Sequence, residues 1–125
     1  MRILDTSVAI DHLRGFQPAV SLLKRLIAEA QPVLGNEVVR FELLAGARDD
    51  ELEALEQFCS AIVWIPVSEG IARTAGELAR QHRGAFSGID AADYLIAATA
   101  LVLDARLLTT NVRHFPMLAG LRPAY

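Results

Sequence analysis

The chain has 125 residues, 53% of them hydrophobic, and a formal net charge of −3. That length fits one domain of common size, and the composition excludes the low-hydrophobicity, high-charge class of disordered chains. The charge argues against a broad basic face that coats nucleic acid, but not against an acidic site whose bound cations meet phosphate.

Taken in chain order, residues 2 to 5 of "MRILDTSVAI" predict a short buried strand that runs into Asp5. Residues 7 to 14 predict a helix ending at Gly15. Pro18 to Ala30 is amphipathic, with Val20, Leu23, Ile27 and Ala30 on one face and Pro18 in the first turn. "PVLG", 32 to 35, predicts a second strand, after which Asn36 caps a helix to about Gly46. Asp49 or Asp50 opens a helix through Cys59, and β-branched "IVWIPV", 62 to 67, predicts a third strand with Trp64 in the core. Ser68 caps a helix to about His82, with Glu69 in its first turn. Residues 83 to 88 form a loop, and Asp90 to Leu103 is a helix apolar nearly all round, hence buried. "RLLT", 106 to 109, predicts a fourth strand, and "LRPAY" at the end could add an edge strand.

Strands alternating with helices predict an α/β fold with a parallel sheet. No linker, repeat or charge block divides residues 1 to 125, so one domain is expected. No basic segment followed by an apolar run stands at the N-terminus. The longest apolar run, residues 94 to 103, is too short to span a bilayer. Cys59 is alone, so no internal disulfide can form, and its helical spacing with Leu52 and Leu55 predicts a core residue. These features point to a cytoplasmic protein that does not enter membranes.

In a parallel sheet, sites form beyond the carboxyl ends of strands, and Asp5 sits at such an end. Asp5 could cap the following helix, but Thr6 and Ser7 could also do so, and the residue alone leaves cap and site equal. Glu42 falls among Val38, Val39, Ala45 and Gly46 on a helical wheel, on the apolar side of its helix. A lone buried carboxylate is costly unless paired with an Arg or bound to a cation. Asp93 has Ala97 and Ala100 beside it on the helix, which leaves room next to the carboxylate. "DAAD" also has the spacing of a capping box, with Asp90 as cap and Asp93 at the third position; alternatively Ser87 caps and Asp90 takes the third position. Spacing does not choose between Asp90 and Asp93 as the site acid.

Asn111 leaves the fourth strand and is either a turn residue or a site amide, with Thr109 and Thr110 adding hydroxyls nearby. Asp104 reads as a turn residue, and Asp11 and His12 as solvated. His114 could be a ligand or base, but H-E-x-x-H and C-x-x-C spacings are absent. No glycine-rich phosphate loop or G-x-S-x-G elbow is present. What remains is an all-oxygen set, Asp5, Glu42 and Asp93 with Asp90 or Asn111, of the kind that hard cations such as Mg²⁺ or Mn²⁺ choose.

Four segments, "ILDTSVAID", "VVRFELLAGAR", "DYLIAATAL" and "LLTTNVRHF", occur in an order that resembles the PIN-domain proteins, specifically the VapC-type toxins of toxin–antitoxin pairs. The resemblance spans almost the whole chain. It implies a PIN-like three-layer sandwich: a central parallel sheet of four or five strands flanked by helices. It implies a metal-dependent endoribonuclease whose catalytic and metal-binding acids are Asp5, Glu42 and Asp93. The third family acid is the one nearest before the "LIAATA" segment, with only Tyr94 between, which selects Asp93 over Asp90. Where many members carry a fourth acid this chain has Asn111, so one ion or two are both compatible. Thr6 and Thr109 or Thr110 would orient the carboxylates. The resemblance further implies an RNA substrate, a cognate antitoxin and a homodimer.

A second hypothesis is a PIN-fold binding module with weak catalysis that acts through its protein partner; such a module would be expected to have lost one of the three acids. A third is a small phosphatase with an Asp nucleophile. That class needs a second Asp two residues after Asp5, where this chain has Ser7.

Overall fold

The computed structural model describes residues 1–125. Ile3 and Leu4 are fully buried because their strand is paired on both edges. β1 (Arg2–Leu4) lies parallel between β2 (Val33–Asn36) and β4 (Arg106–Leu108), and β3 (Val63–Ile65) pairs with the outer edge of β2. The order is β3-β2-β1-β4. Parallel neighbours require crossover connections, and helices supply them: α1 (Thr6–Leu13), α2 (Gln17–Ala28), α3 (Glu37–Gly46), α4 (Leu52–Cys59), α5 (Glu69–His82) and α6 (Ala91–Leu103). The result is a parallel α/β sheet flanked by helices, as the sequence predicts.

The main core joins the sheet residues Ile3, Leu4 and Leu34 to Val8, Leu26, Val39 and Ile96 of the helices. A smaller cluster of Ile71, Ala75, Ala79, Tyr94 and Ala98 seals α5 against α6. Helix starts follow the local chemistry: Asn36 accepts from the Val38 N–H at 2.8 Å, and Ser68 from the Ile71 N–H at 3.2 Å. Asp104 ends α6 in the left-handed conformation, φ +51°, as a turn residue. No helix is long and apolar enough to cross a membrane.

Several expectations need correction. "LRPAY" forms no strand, so the sheet has four strands; the tail is instead tied by the Ala124 N–H to the Thr109 carbonyl at 2.8 Å. The buried face of α2 is Ala19, Leu22, Leu23 and Leu26, while Ile27 is 63% exposed and Ala30 lies past the helix end. Both faces have helical spacing, and packing against α1 chose between them. The predicted helix from Asp49 begins as a 3-10 turn at Asp49–Glu51. His12 is half-buried against the Phe58 ring, and Asp11 accepts from the Tyr125 hydroxyl at 2.6 Å, so neither is simply solvated. Trp64 is half-buried at the edge of the sheet, with the Arg40 guanidinium 4.4 Å above its ring. Cys59 is buried as expected, whereas Leu52 is partly exposed, and burial pushes the Cys59 thiol up.

Candidate active site

The pairing of β1 with β4 decides the neighbourhood of Asp5. Leu4 registers with Leu108, and the Asp5 N–H continues the ladder to the Leu108 carbonyl at 2.9 Å. Thr109 therefore leaves its strand beside Asp5. Asp5 occupies the N-cap position of α1, but its side chain makes no capping hydrogen bond. Its Oδ2 instead accepts from Thr109 Oγ1 at 2.6 Å and from Ser7 Oγ at 2.8 Å, and the residue is buried. Burial of a carboxylate without a cap role removes the plain reading of this acid.

Glu42 projects from the middle of α3, half-buried. No Arg pairs with it; Thr6 Oγ1 donates to its Oε1 at 2.7 Å. Thr6 and Ser7, consecutive in the first turn of α1, thus serve two different acids.

Asp93 sits at the start of α6 and does two things at once. With Asp90 it forms a capping box: Asp90 Oδ1 accepts from the Asp93 N–H at 2.9 Å, and Asp93 Oδ2 accepts from the Asp90 N–H at 3.2 Å. Of the two predicted capping schemes, the structure has Asp90 as cap. Asp93 Oδ2 also faces His114 Nδ1 at 3.2 Å. Its carboxyl is pushed up to about 6, chiefly by burial; the Asp90 N–H opposes this, the Asp90 charge adds to it, His114 opposes it, and Asp5 adds to it again.

Each of the three acids has one oxygen held by a donor and one that accepts no hydrogen bond: Asp5 Oδ1, Glu42 Oε2 and Asp93 Oδ1. Anionic oxygen donors fit a hard cation in chemistry. In geometry, no three acidic, histidine or cysteine side chains approach closely enough to make a closed metal cage. An ion meeting these oxygens would need water or substrate oxygens to complete its shell.

Among the auxiliary residues, Thr109 is fully buried and bridges two segments, accepting from the Asn111 N–H at 2.9 Å while donating to Asp5. Thr110 contributes its backbone N–H to Ser7 Oγ at 3.1 Å, and its hydroxyl makes no hydrogen bond. Asn111 is exposed and opens a 3-10 turn at Val112–His114, with a side chain that bonds to nothing. Sequence reasoning passed over Ser7, weighed only as a cap, and His114, set aside for lack of metal spacing. A hydroxyl two residues after a strand-end acid was the available signal for Ser7; His114 had none before the strand pairing was known. Asn36 also does more than cap: fully buried, its Nδ2 donates to Thr99 Oγ1 at 2.9 Å and ties the start of α3 to α6. Those two helices carry Glu42 and Asp93.

Beside Glu42, a groove of about 530 Å³ runs between α1, α3 and α4, lined by Ile10, Leu13, Arg14, Leu43 and Leu55.

The PIN domain family model matches residues 2–121. The chain belongs to the PIN-domain family. Over 125 residues it is 58% identical to Ribonuclease VapC19 of Mycobacterium tuberculosis (strain ATCC 25618 / H37Rv), covering 100% of both chains. It is 38% identical over 125 residues to Ribonuclease VapC10 of the same strain, covering 100% of this chain and 93% of that protein. Within the family it is thus of the VapC type. Its fold is shared by a toxin-antitoxin complex from Klebsiella pneumoniae, with a TM-score of 0.81 at 23% identity over 100% of this chain and 98% of that one. It is shared as well by VapBC2 from Rickettsia felis bound to a promoter DNA fragment, with a TM-score of 0.80 at 23% identity over 96% and 94%.

Proposed function

We propose that this protein is a metal-dependent endoribonuclease and the toxin of a toxin–antitoxin pair, using Asp5, Glu42 and Asp93 as catalytic acids and as ligands for Mg²⁺ or Mn²⁺. The observation that carries the proposal is the shared arrangement of the three acids: each has one oxygen fixed by a donor and one left over. Relatives named ribonuclease, at 58% and 38% identity, support RNA as the substrate class.

When bound, such a cation acidifies water and offsets charge on the phosphodiester. The chain's own part is preparatory. Thr109 and Ser7 hold Asp5, Thr6 holds Glu42, and the Asp90 N–H with His114 holds Asp93, so no carboxylate needs to reorient when substrate arrives. Burial of Asp5 and Asp93 keeps bulk water from solvating them, which strengthens their pull on a cation. An in-line attack by water on the scissile phosphorus fits this acid set and leaves a 5′-phosphate. The proposal includes a cognate antitoxin and a homodimer in the cytoplasm, as the resemblance of the four segments implies. The groove beside Glu42, lined by apolar residues together with Arg14, Arg48, Asp50 and Glu51, suits a partner segment that reaches toward the acids.

The test is cleavage of total RNA by purified, partner-free protein in Mg²⁺, Mn²⁺ or EDTA, with Asp5→Ala as control. Discrete cuts that need metal and vanish in Asp5→Ala support the proposal. A folded protein that cuts with neither metal is instead a PIN-fold binding module acting through its partner.

A further inference from the structure

His114 belongs to no feature that folding requires. Its side chain is 45% exposed, so it fills little core volume. Yet its backbone is held in place. The His114 N–H donates to the Asn111 carbonyl at 3.0 Å, and the next residue, Phe115, is 1% exposed in the main core and anchors the turn. The segment from Thr109 to Phe115 thus reaches two acids from one support: Thr109 touches Asp5 and His114 touches Asp93.

Two nitrogens meet Asp93 Oδ2 from different directions, and an ionised Asp93, which can only accept, selects the His114 tautomer with its proton on Nδ1. The Asp90 N–H comes from the helix's own cap, and His114 Nδ1 comes from across the sheet edge, each at 3.2 Å. Neither contact is short, and one alone would let the carboxylate rotate about its terminal torsion, which is broad. Together they set its plane and leave Oδ1 as the one free oxygen. We infer that His114 is a positioning residue: it fixes the Asp93 carboxylate so that a single oxygen faces the cation. This inference rests on the metal-dependent reading above. Partners that orient metal-binding carboxylates in this way carry roughly 10–100-fold of metal affinity or activity.

The test exploits which ring nitrogen makes the contact. An Asn amide nitrogen reaches about as far from the backbone as His Nδ1, and a Gln amide nitrogen about as far as Nε2. His114→Ala, His114→Asn and His114→Gln are compared with the wild-type chain by Mn²⁺ titration, following free Mn²⁺ by electron paramagnetic resonance. RNA cleavage kinetics and melting temperature are measured in parallel. The expected result is about tenfold weaker Mn²⁺ binding and lower kcat in His114→Ala and His114→Gln, near wild-type values in His114→Asn, and an unchanged KM and melting temperature throughout. If Mn²⁺ affinity is the same in all four proteins, the positioning role is wrong while the metal site stands. If KM alone rises, His114 contacts RNA and does not position Asp93. If the wild-type chain binds no more Mn²⁺ than Asp5→Ala does, the metal reading fails and the inference goes with it.

Discussion

Thr109 Oγ1 donates to Asp5 Oδ2 at 2.6 Å, across 104 residues of sequence. The bond exists because β4 pairs with β1 and both strands end at the same level of the sheet. Thr109→Val keeps the branched shape but removes the hydroxyl, leaving the Asn111 N–H without its acceptor and Asp5 Oδ2 with Ser7 alone. The expected cost is about 1–3 kcal/mol of stability and roughly tenfold in cleavage rate, with Thr109→Ser restoring most of both. Urea unfolding and single-turnover cleavage measure the two effects; a Thr109→Val protein that cuts at the wild-type rate contradicts the role given to this hydroxyl.

Asp90 and Asp93 share a capping box and each keeps one free carboxylate oxygen, but Asp90 is exposed whereas Asp93 is buried and faces His114. Asp90→Asn keeps a good capping oxygen and is expected to cut RNA at close to the wild-type rate. Asp93→Asn removes an anionic ligand and is expected to abolish metal-dependent cleavage while the protein stays folded. Circular dichroism alongside the cleavage assay separates the two cases. The reverse outcome, a dead Asp90→Asn and an active Asp93→Asn, reassigns the third acid.

Stability without metal should depend on pH through Asp93. Its carboxyl is pushed up from 3.8 to about 6, mainly by burial. An acid raised in the folded state holds its proton more tightly there than in the unfolded chain. Its contribution therefore favours folding below about pH 4 and is lost as pH rises through about 6. In EDTA, the melting temperature of the wild-type chain relative to Asp93→Asn is expected to fall between about pH 4 and about pH 6.5. Adding Mg²⁺ at the higher pH is expected to raise it again in the wild-type chain only. A melting-temperature difference that stays flat across this range means Asp93 is not raised.

Gly35 has a structural reason to be glycine. A Cβ placed on it would lie 2.7 Å from Trp64 Cζ3, in the paired position on β3. The ring cannot easily retreat, since its Nε1 donates to the Cys59 carbonyl at 2.9 Å and Arg40 lies over its face. Gly35→Ala is expected to destabilise by about 1–3 kcal/mol through overpacking, and the double variant Gly35→Ala/Trp64→Leu to recover part of it. Denaturant midpoints for the single and double variants decide the matter; equal losses in both would mean the clash is not with the ring.

Most of the elements were legible because their signals are local. Alternating strands and helices, the caps at Asn36 and Ser68, and the turn at Asp104 all depend on residues a few positions apart. Glu42 stood out because a carboxylate on an apolar helix face conflicts with its surroundings. The errors fall where two local patterns were equally good. On α2, the face containing Ile27 and the face containing Leu26 both have helical period, and only contact with α1 selects the second. For "LRPAY", apolar content alone did not separate a strand from a tail held by one backbone hydrogen bond.

The sequence by itself determined the class of fold, the presence of three acids on an apolar background and, through four ordered segments, the PIN-domain family. The tertiary structure alone decided what each acid touches. Asp5 could have capped α1; the register of β1 against β4 gave its carboxylate to Thr109 and Ser7 instead. Asp90 and Asp93 looked interchangeable by spacing; in the structure both join one capping box, and only Asp93 also reaches His114. The physical reason is range. Periodicity and capping act over a few residues, whereas a buried carboxylate must find its donors wherever strand pairing brings them, in this chain more than a hundred positions away.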